Sequence, residues 1–267
     1  MLPRFGVTNL YAIIINYFTC FLLGSSINGA ITIQSDIIGK PWFPFALFLS
    51  LIFIMFFNVN AYTIQKVGVT VTSVFQKLSL VAPAMVGIVM FGEPGNPKKY
   101  FALVLAIVTI LLINYSDKSD PELTARMKQY WYWPLLVFFG SGLIESILFY
   151  AQETGQLEDA GLVFTSNLFF MAGCWGALFV ILRGRFDIKW KDVAAGICIG
   201  IPNFFTIYLI IVALESGWDG SSFFPLINVG VILGTAVVGI SIFLERFNKV
   251  NVLGFICALL VVVLISL

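Results

Sequence analysis

Nine stretches of roughly twenty apolar residues follow one another along the chain, parted by short clusters of Gly, Pro, Asn or charge. They cover 7–27, 42–65, 69–92, 100–115, 133–151, 161–182, 193–214, 222–244 and 250–267. A helix of about 20 residues rises 30 Å, the thickness of a bilayer's hydrocarbon core. A closed β-barrel is the other way to satisfy backbone polar groups in lipid, but no strand-length alternation recurs. The pattern predicts an all-α polytopic membrane protein. Composition narrows it further: 60% of residues are hydrophobic and 11% charged, against about 25% charged in soluble domains. That leaves no room for a sizeable aqueous domain. The absence of histidine excludes His-dependent triads, relays and metal sites. A balance of 15 Lys+Arg against 14 Asp+Glu offers no basic surface for nucleic acid. Cys20, Cys174, Cys198 and Cys257 sit in apolar runs without ligand spacing and read as buried free thiols. No metal or cofactor is expected.

The boundaries carry their own signals. Trp42, Tyr100, Tyr115, the run Tyr130, Trp131, Tyr132, Trp133, and then Trp190 and Trp218 fall at stretch ends, where amphipathic rings sit at headgroup level. The polar segment 116–132, with Asp117, Lys118, Asp120, Pro121 and Glu122, reads as a linker between a first unit, 1–115, and a second, 133–267. The opening Met1, Leu2, Pro3, Arg4 has the form of a secretory signal. The run behind it is long, carries Asn16, and leads into further spans, so it reads as a span.

Shifting the chain by 152 residues brings two halves into register without a gap: Ala61 meets Ala213, Gly68 meets Gly220, Gly87 meets Gly239, and Glu93 meets Glu245. The same shift places the end of the first half on the end of the chain. The second half then has five helices and the first only four, so the repeat predicts a vacancy of one helix upstream of Met1. A truncated start is favoured over a nine-helix variant. An odd number of spans per repeat inverts one half relative to the other. Arg183, Arg185, Lys189 and Lys191 crowd one loop, while its first-half counterpart near 31–39 has no Lys or Arg. Over all loops, Arg4, Lys66, Lys118, Arg126, Lys128, Arg183, Arg185, Lys189, Lys191, Arg246 and Lys249 fall on one side and Lys40, Lys98 and Lys99 on the other. The positive-inside rule then places Met1 and the linker in the cytoplasm and Leu267 outside.

Two charges lie inside stretches. Lys77 is about eight residues into the third, roughly 12 Å of helix from the nearer end, too deep to snorkel easily. A charge at membrane depth costs at least about 2.5–3.5 kcal/mol, so it needs a partner or a wet cavity. The blander reading is a lysine capping carbonyls at a helix break near Pro83. Glu145 is near the midpoint of the fifth stretch, on a narrow polar stripe with Ser141 and Gln152. It reads as a proton-coupling group, a partner for Lys77, or both, with a merely structural glutamate as the alternative. Asn16, Asn58, Gln76, Asn203 and Asn228 add hydrogen-bonding groups within spans, and Asn228 is the repeat counterpart of Gln76. Single buried amides more often bridge helices than bind ligands. The spacings Gly196-x-x-x-Gly200 and Gly230-x-x-x-Gly234 suit close helix crossing. Glu93 and Glu245, ending their runs, read as interfacial and outside the site. No HExxH, phosphate loop or paired intramembrane aspartates are present, so an enzyme is not expected.

These residues resemble a known family. The stretch NVNAYTIQKVGVTVTSVFQKLSLVAPAMVGIVMFGE, 58–93, is similar to the third and fourth helices of EamA-type transporters of the drug/metabolite transporter superfamily. It shares an alanine-aromatic run, a Gly-x-Thr turn, a mid-helix proline and a closing Gly-Glu. The segment 224–245 is similar to the ninth helix and 6–24 to the second, with Asn16 where many relatives carry arginine. The resemblance implies two inverted five-helix repeats around a central cavity, and ten helices with the first lacking here. It also implies both chain ends in the cytoplasm, against the charge count.

The expectation is therefore a secondary active transporter, an exporter of small polar or amphipathic metabolites, in a bacterial inner membrane as monomer or homodimer. Alternating access would act on a site near the midplane. Lys77 would neutralise a substrate carboxylate or pair with Glu145, and Glu145 would carry a coupling proton. The alternative is a non-transporting membrane partner, a regulatory or assembly subunit whose polar groups only lock helices together.

Overall fold

The computed structural model describes residues 6–34, 36–93, 97–113, 126, 128–157, 160–184, 187–241 and 249–266. Most of the linker 116–132, together with Arg4, Tyr115, Arg185, Glu245, Arg246 and Leu267, lies outside the described residues. Among the described residues there are ten α-helices, one short 3-10 turn (Ile37–Gly39) and no strand. The helices are α1 (Asn9–Asn28), α2 (Phe43–Val67), α3 (Val69–Leu78), α4 (Val81–Met90), α5 (Pro97–Ile113), α6 (Tyr132–Glu153), α7 (Gly161–Arg183), α8 (Trp190–Glu215), α9 (Gly220–Ser241) and α10 (Lys249–Ser266). Among the described residues six spans are long and apolar enough to cross a membrane: α1, α2, the segment Val71–Met90, α6, α7 and α8. Large apolar side chains such as Phe139 and Leu209 are exposed in mid-helix, at 66% and 56%, a surface made for lipid rather than water. This is the architecture of a multi-pass membrane protein.

The third stretch is a span with a break inside it. It breaks into α3 and α4 at Ser79 and Leu80. Pro83 has no N–H, and its ring collides with the carbonyl four residues back, which is that of Ser79. The chain turns more tightly there. Ala82 N–H donates to Ser79 O at 2.9 Å and Leu80 N–H to Lys77 O at 3.3 Å, while the Ser79 hydroxyl donates to Gln76 O at 2.6 Å.

The helices gather into two compact units, each drawing on both halves of the sequence: Met1–Ala61 with Ile147–Gly217, and Tyr62–Ser146 with Trp218–Leu267. In the first, α1 lies between glycine faces of α7 and α8. A Cβ on Gly196 would come within 2.6 Å of Ile15 Cβ, and one on Gly200 within 2.7 Å of Thr19 Cβ. On the other side, Gly176 and Gly173 of α7 leave room for Ile14 and Phe18. Asp192, fully buried, accepts the N–H groups of Lys189 at 2.8 Å and Thr8 at 2.7 Å, tying the start of α8 to the start of α1. Its charge sits at the positive ends of both helix dipoles.

In the second unit, α10 packs along α5, and α9 against α4 and α5. Here Gly230 and Gly234 differ: among the described residues a Cβ on either would meet no atom within 4 Å. Small residues permit a close crossing but do not compel one. The cysteines also divide. Cys20 is buried and Cys257 half-buried, whereas Cys174 and Cys198 are exposed, because a membrane helix can turn an apolar face outward to lipid at no cost.

Candidate functional site

The two intramembrane charges both lie in the second unit, near enough for each to act on the other. Lys77 falls in the last turn of α3, where the negative end of the helix dipole favours a cation. The carbonyls freed by the break are taken by Ser79 and by backbone N–H groups, which leaves the ammonium available. Opposite it, α6 comes close at Gly142, where a Cβ would lie 2.8 Å from Ala82 Cβ and 3.5 Å from Ser79 O. Glu145 follows Gly142 by three residues and shares its helix face. Lys77 and Glu145 are both half-buried, and each charge acts on the other. Among the described residues Glu145 Oε2 is buried with no hydrogen-bond partner. Buried carboxylate oxygens are normally satisfied, so this one is a spare acceptor inside a membrane span. Ser141, on the same stripe, is buried beside it in sequence.

The amides fall into two groups. In the first unit Asn203 Nδ2 donates to Asn16 Oδ1 at 3.2 Å, across the α1–α8 contact made by Gly200. The Cys20 thiol joins them, donating to Gly200 O at 3.2 Å. Asn16 Nδ2 and the neighbouring Tyr17 hydroxyl are buried without partners. Asn58 turns back on its own helix, donating to Ile54 O at 2.7 Å. In the second unit Asn228 does the same, donating to Phe224 O at 2.9 Å. Gln76 precedes Lys77 and lends its carbonyl to Ser79. The structure thus brings Asn16 to Asn203 and Lys77 to Glu145, while Asn58 and Asn228 serve their own backbones.

Some participants were not singled out from sequence. Gly142 and Ser79 build the approach to Lys77, and the spacing of each to Glu145 or Pro83 is the signal that could have found them. Asn167 of α7 is fully buried, donates to Val163 O at 2.8 Å and Thr32 O at 3.1 Å, and keeps its Oδ1 unpartnered. A cleft of about 450 Å³ at one end of the first unit is lined by Thr32, Trp42, Gln156 and others, but by none of the predicted site residues.

Glu93 corrects the expectation of a merely interfacial glutamate. Its side chain is 7% exposed. The carboxylate accepts Gly220 N–H at 2.6 Å, Ser221 N–H at 3.0 Å and the Ser221 hydroxyl, capping the start of α9. Lys99 stands 3.5 Å from it and 2.8 Å from Asp219.

No known family profile matches the chain. An uncharacterized protein of Haemophilus influenzae is 28% identical over 222 residues, 81% of this chain and 72% of its own length. A protein of known crystal structure superposes with a TM-score of 0.72 over 98% of this chain and 89% of its own, at 11% identity, and so shares its fold.

Proposed function

We propose that the chain is a secondary active transporter of the EamA type, exporting small polar or amphipathic metabolites by alternating access. The observation that carries this reading is the Lys77–Glu145 pair, set at a broken helix inside a membrane span with one carboxylate oxygen unsatisfied. Charge at that depth is costly, and transporters keep it for substrate or coupling ion at interrupted helices. Lys77 receives a substrate carboxylate when not engaged with Glu145, and Glu145 exchanges the coupling proton. Asn16, Asn58, Gln76, Asn203 and Asn228 supply hydrogen bonds. The helices form two inverted repeats in a bacterial inner membrane, and the protein acts as a carrier rather than an enzyme.

Proteoliposomes containing the purified chain test this. Metabolite efflux driven by a proton gradient is expected, lost in Lys77→Ala and stripped of its pH dependence in Glu145→Gln. Wild-type flux and wild-type pH dependence in both variants would sink the assignment.

The amides of Asn58 and Asn228, satisfied within their own helices, favour a second reading: a non-transporting membrane partner whose polar groups lock helices. It predicts that no metabolite stabilises the purified chain against heat and that another membrane protein co-purifies with it.

A further inference from the structure

Lys66, in the last turn of α2, lies over two tyrosine rings. Its Nζ is 5.3 Å from the Tyr62 centroid and 5.1 Å from that of Tyr130. Tyr62 packs in turn on Trp133, with centroids 4.4 Å apart, and Trp133 on Tyr132 at 5.4 Å. The lysine is therefore held in place by ring faces, and among the described residues no carboxylate pairs with it. Two further cations stand just upstream of α6: Tyr130 N–H donates to Arg126 O at 2.8 Å, one turn back, and Lys128 lies between them. Arg126 and Lys128 are exposed, as are Trp131 and Tyr132.

Three consequences follow from that arrangement. A cation over an aromatic face is attracted to the ring quadrupole without being neutralised, so the field of Lys66 still reaches outward. The ring contacts also fix its position, removing much of the rotamer entropy that a free lysine loses on binding a ligand. The exposed Trp and Tyr belong at headgroup depth, which puts the basic cluster level with lipid phosphates rather than in bulk water. An anionic ligand at this spot meets cations on one side and apolar ring surface on the other. A phospholipid satisfies both. A free inorganic anion satisfies only the first.

We infer that Lys66, Arg126 and Lys128, framed by Tyr62, Tyr130 and Trp133, form a binding site for the phosphodiester headgroup of an anionic phospholipid. The site is independent of the Lys77–Glu145 pair, and its test uses no transport readout. The full-length protein is reconstituted in phosphatidylcholine containing a minor fraction of phosphatidylglycerol, extracted gently, and the retained lipids are counted by native mass spectrometry. Wild type is expected to retain phosphatidylglycerol in preference to phosphatidylcholine. Lys66→Gln lowers that retention about fivefold, the worth of one basic residue at a charged membrane surface. Lys66→Arg, which keeps the charge and stacks equally well, retains it, and so does Lys249→Gln, which removes an exposed lysine at the start of α10. Tyr130→Leu, which leaves every charge in place, gives a partial loss and guards against a Lys66→Gln protein that fails to fold. The proposal is overturned by equal retention of the two lipids in wild type, or by equal loss in Lys249→Gln. It is also overturned if inorganic phosphate displaces the lipid, since the ligand is then a soluble anion.

Discussion

Gly142 of α6 stands so close to Ala82 of α4 that a Cβ on the glycine would come within 2.8 Å of the alanine Cβ. Real Cβ atoms do not approach that closely, so Gly142→Ala must push α6 away from the helix break. Overpacking of this kind costs about 1–3 kcal/mol, against a gain in helix propensity of under about 1 kcal/mol. Thermal unfolding of the purified protein should show Gly142→Ala less stable than wild type. The collision is with one methyl group, so Ala82→Gly in the same chain should recover part of the loss. A double variant no better than the sum of the singles would remove the contact from the argument.

Glu93 and Asp36 make opposite predictions from superficially similar ion pairs. Glu93 is nearly buried and caps α9 through Gly220 and Ser221, with its carboxylate folded into the space that a side chain on Gly87 would need. Glu93→Ala leaves Lys99 with Asp219 but strips α9 of its cap, a loss of about 0.5–2 kcal/mol. Glu93→Gln, which keeps the shape and one acceptor, should fall between the two. Unfolding by heat or denaturant orders the three.

Asp36 is exposed, and Lys40 at 2.6 Å holds its carboxyl below the usual carboxylate range. A carboxylate with a lowered folded-state value contributes stability above its unfolded value, and that contribution fades as pH falls through the lowered one. Water and salt screen so exposed a pair. Asp36→Asn should therefore overlay wild type at neutral pH in moderate salt, with any gap appearing at low salt and closing in acid.

The spans were legible because twenty apolar residues in a row have few other fates. The break at Ser79 was less so, since proline acts on a carbonyl four residues upstream and its consequence is not written where the chain bends. Gly196-x-x-x-Gly200 and Gly230-x-x-x-Gly234 look alike in sequence, yet among the described residues only the first has a helix pressed against it. Which helix faces which is a tertiary fact that spacing does not hold. For the same reason the repeat marked a glutamate at the end of each apolar run but not the donors that Glu93 finds 127 and 128 residues later. Lys77 and Glu145 were visible through the cost of burying charge. That Gly142 brings them to one another was not.

The two glycine pairs give a direct comparison. A Cβ on Gly200 would lie 2.7 Å from Thr19 Cβ and 2.9 Å from Asn16 O, so Gly200→Ala should cost about 1–3 kcal/mol and draw Asn203 off Asn16. Asn203→Leu, which removes that interhelical hydrogen bond and the longer one to Cys20 Sγ at 3.8 Å, should cost at least about 0.6 kcal/mol, the average for one such bond in membranes. Gly230→Ala and Gly234→Ala meet nothing within 4 Å among the described residues and gain helix propensity, up to about 1 kcal/mol each. Reversal of the order of Gly200→Ala and Gly230→Ala in a thermal-shift series would refute the packing described for α1 and α8.

Lys77 and Glu145 should also reveal themselves in stability, apart from any transport. If each compensates the other inside the membrane span, removing one leaves an uncompensated charge, a loss of about 3–5 kcal/mol for a buried pair. Half-burial of both residues puts these two toward the lower end. Removing both together, as Lys77→Met with Glu145→Gln, costs less than the two single losses combined, because the double variant strands neither charge. The interaction energy from the cycle is expected to be at least about 0.5 kcal/mol, the lower end for coupled residues. The measurement is reversible unfolding of wild type, both singles and the double in one detergent, at neutral pH. Additive losses would mean that the two charges are held separately by their own helices, and Glu145 would then have to be argued as a coupling group without Lys77.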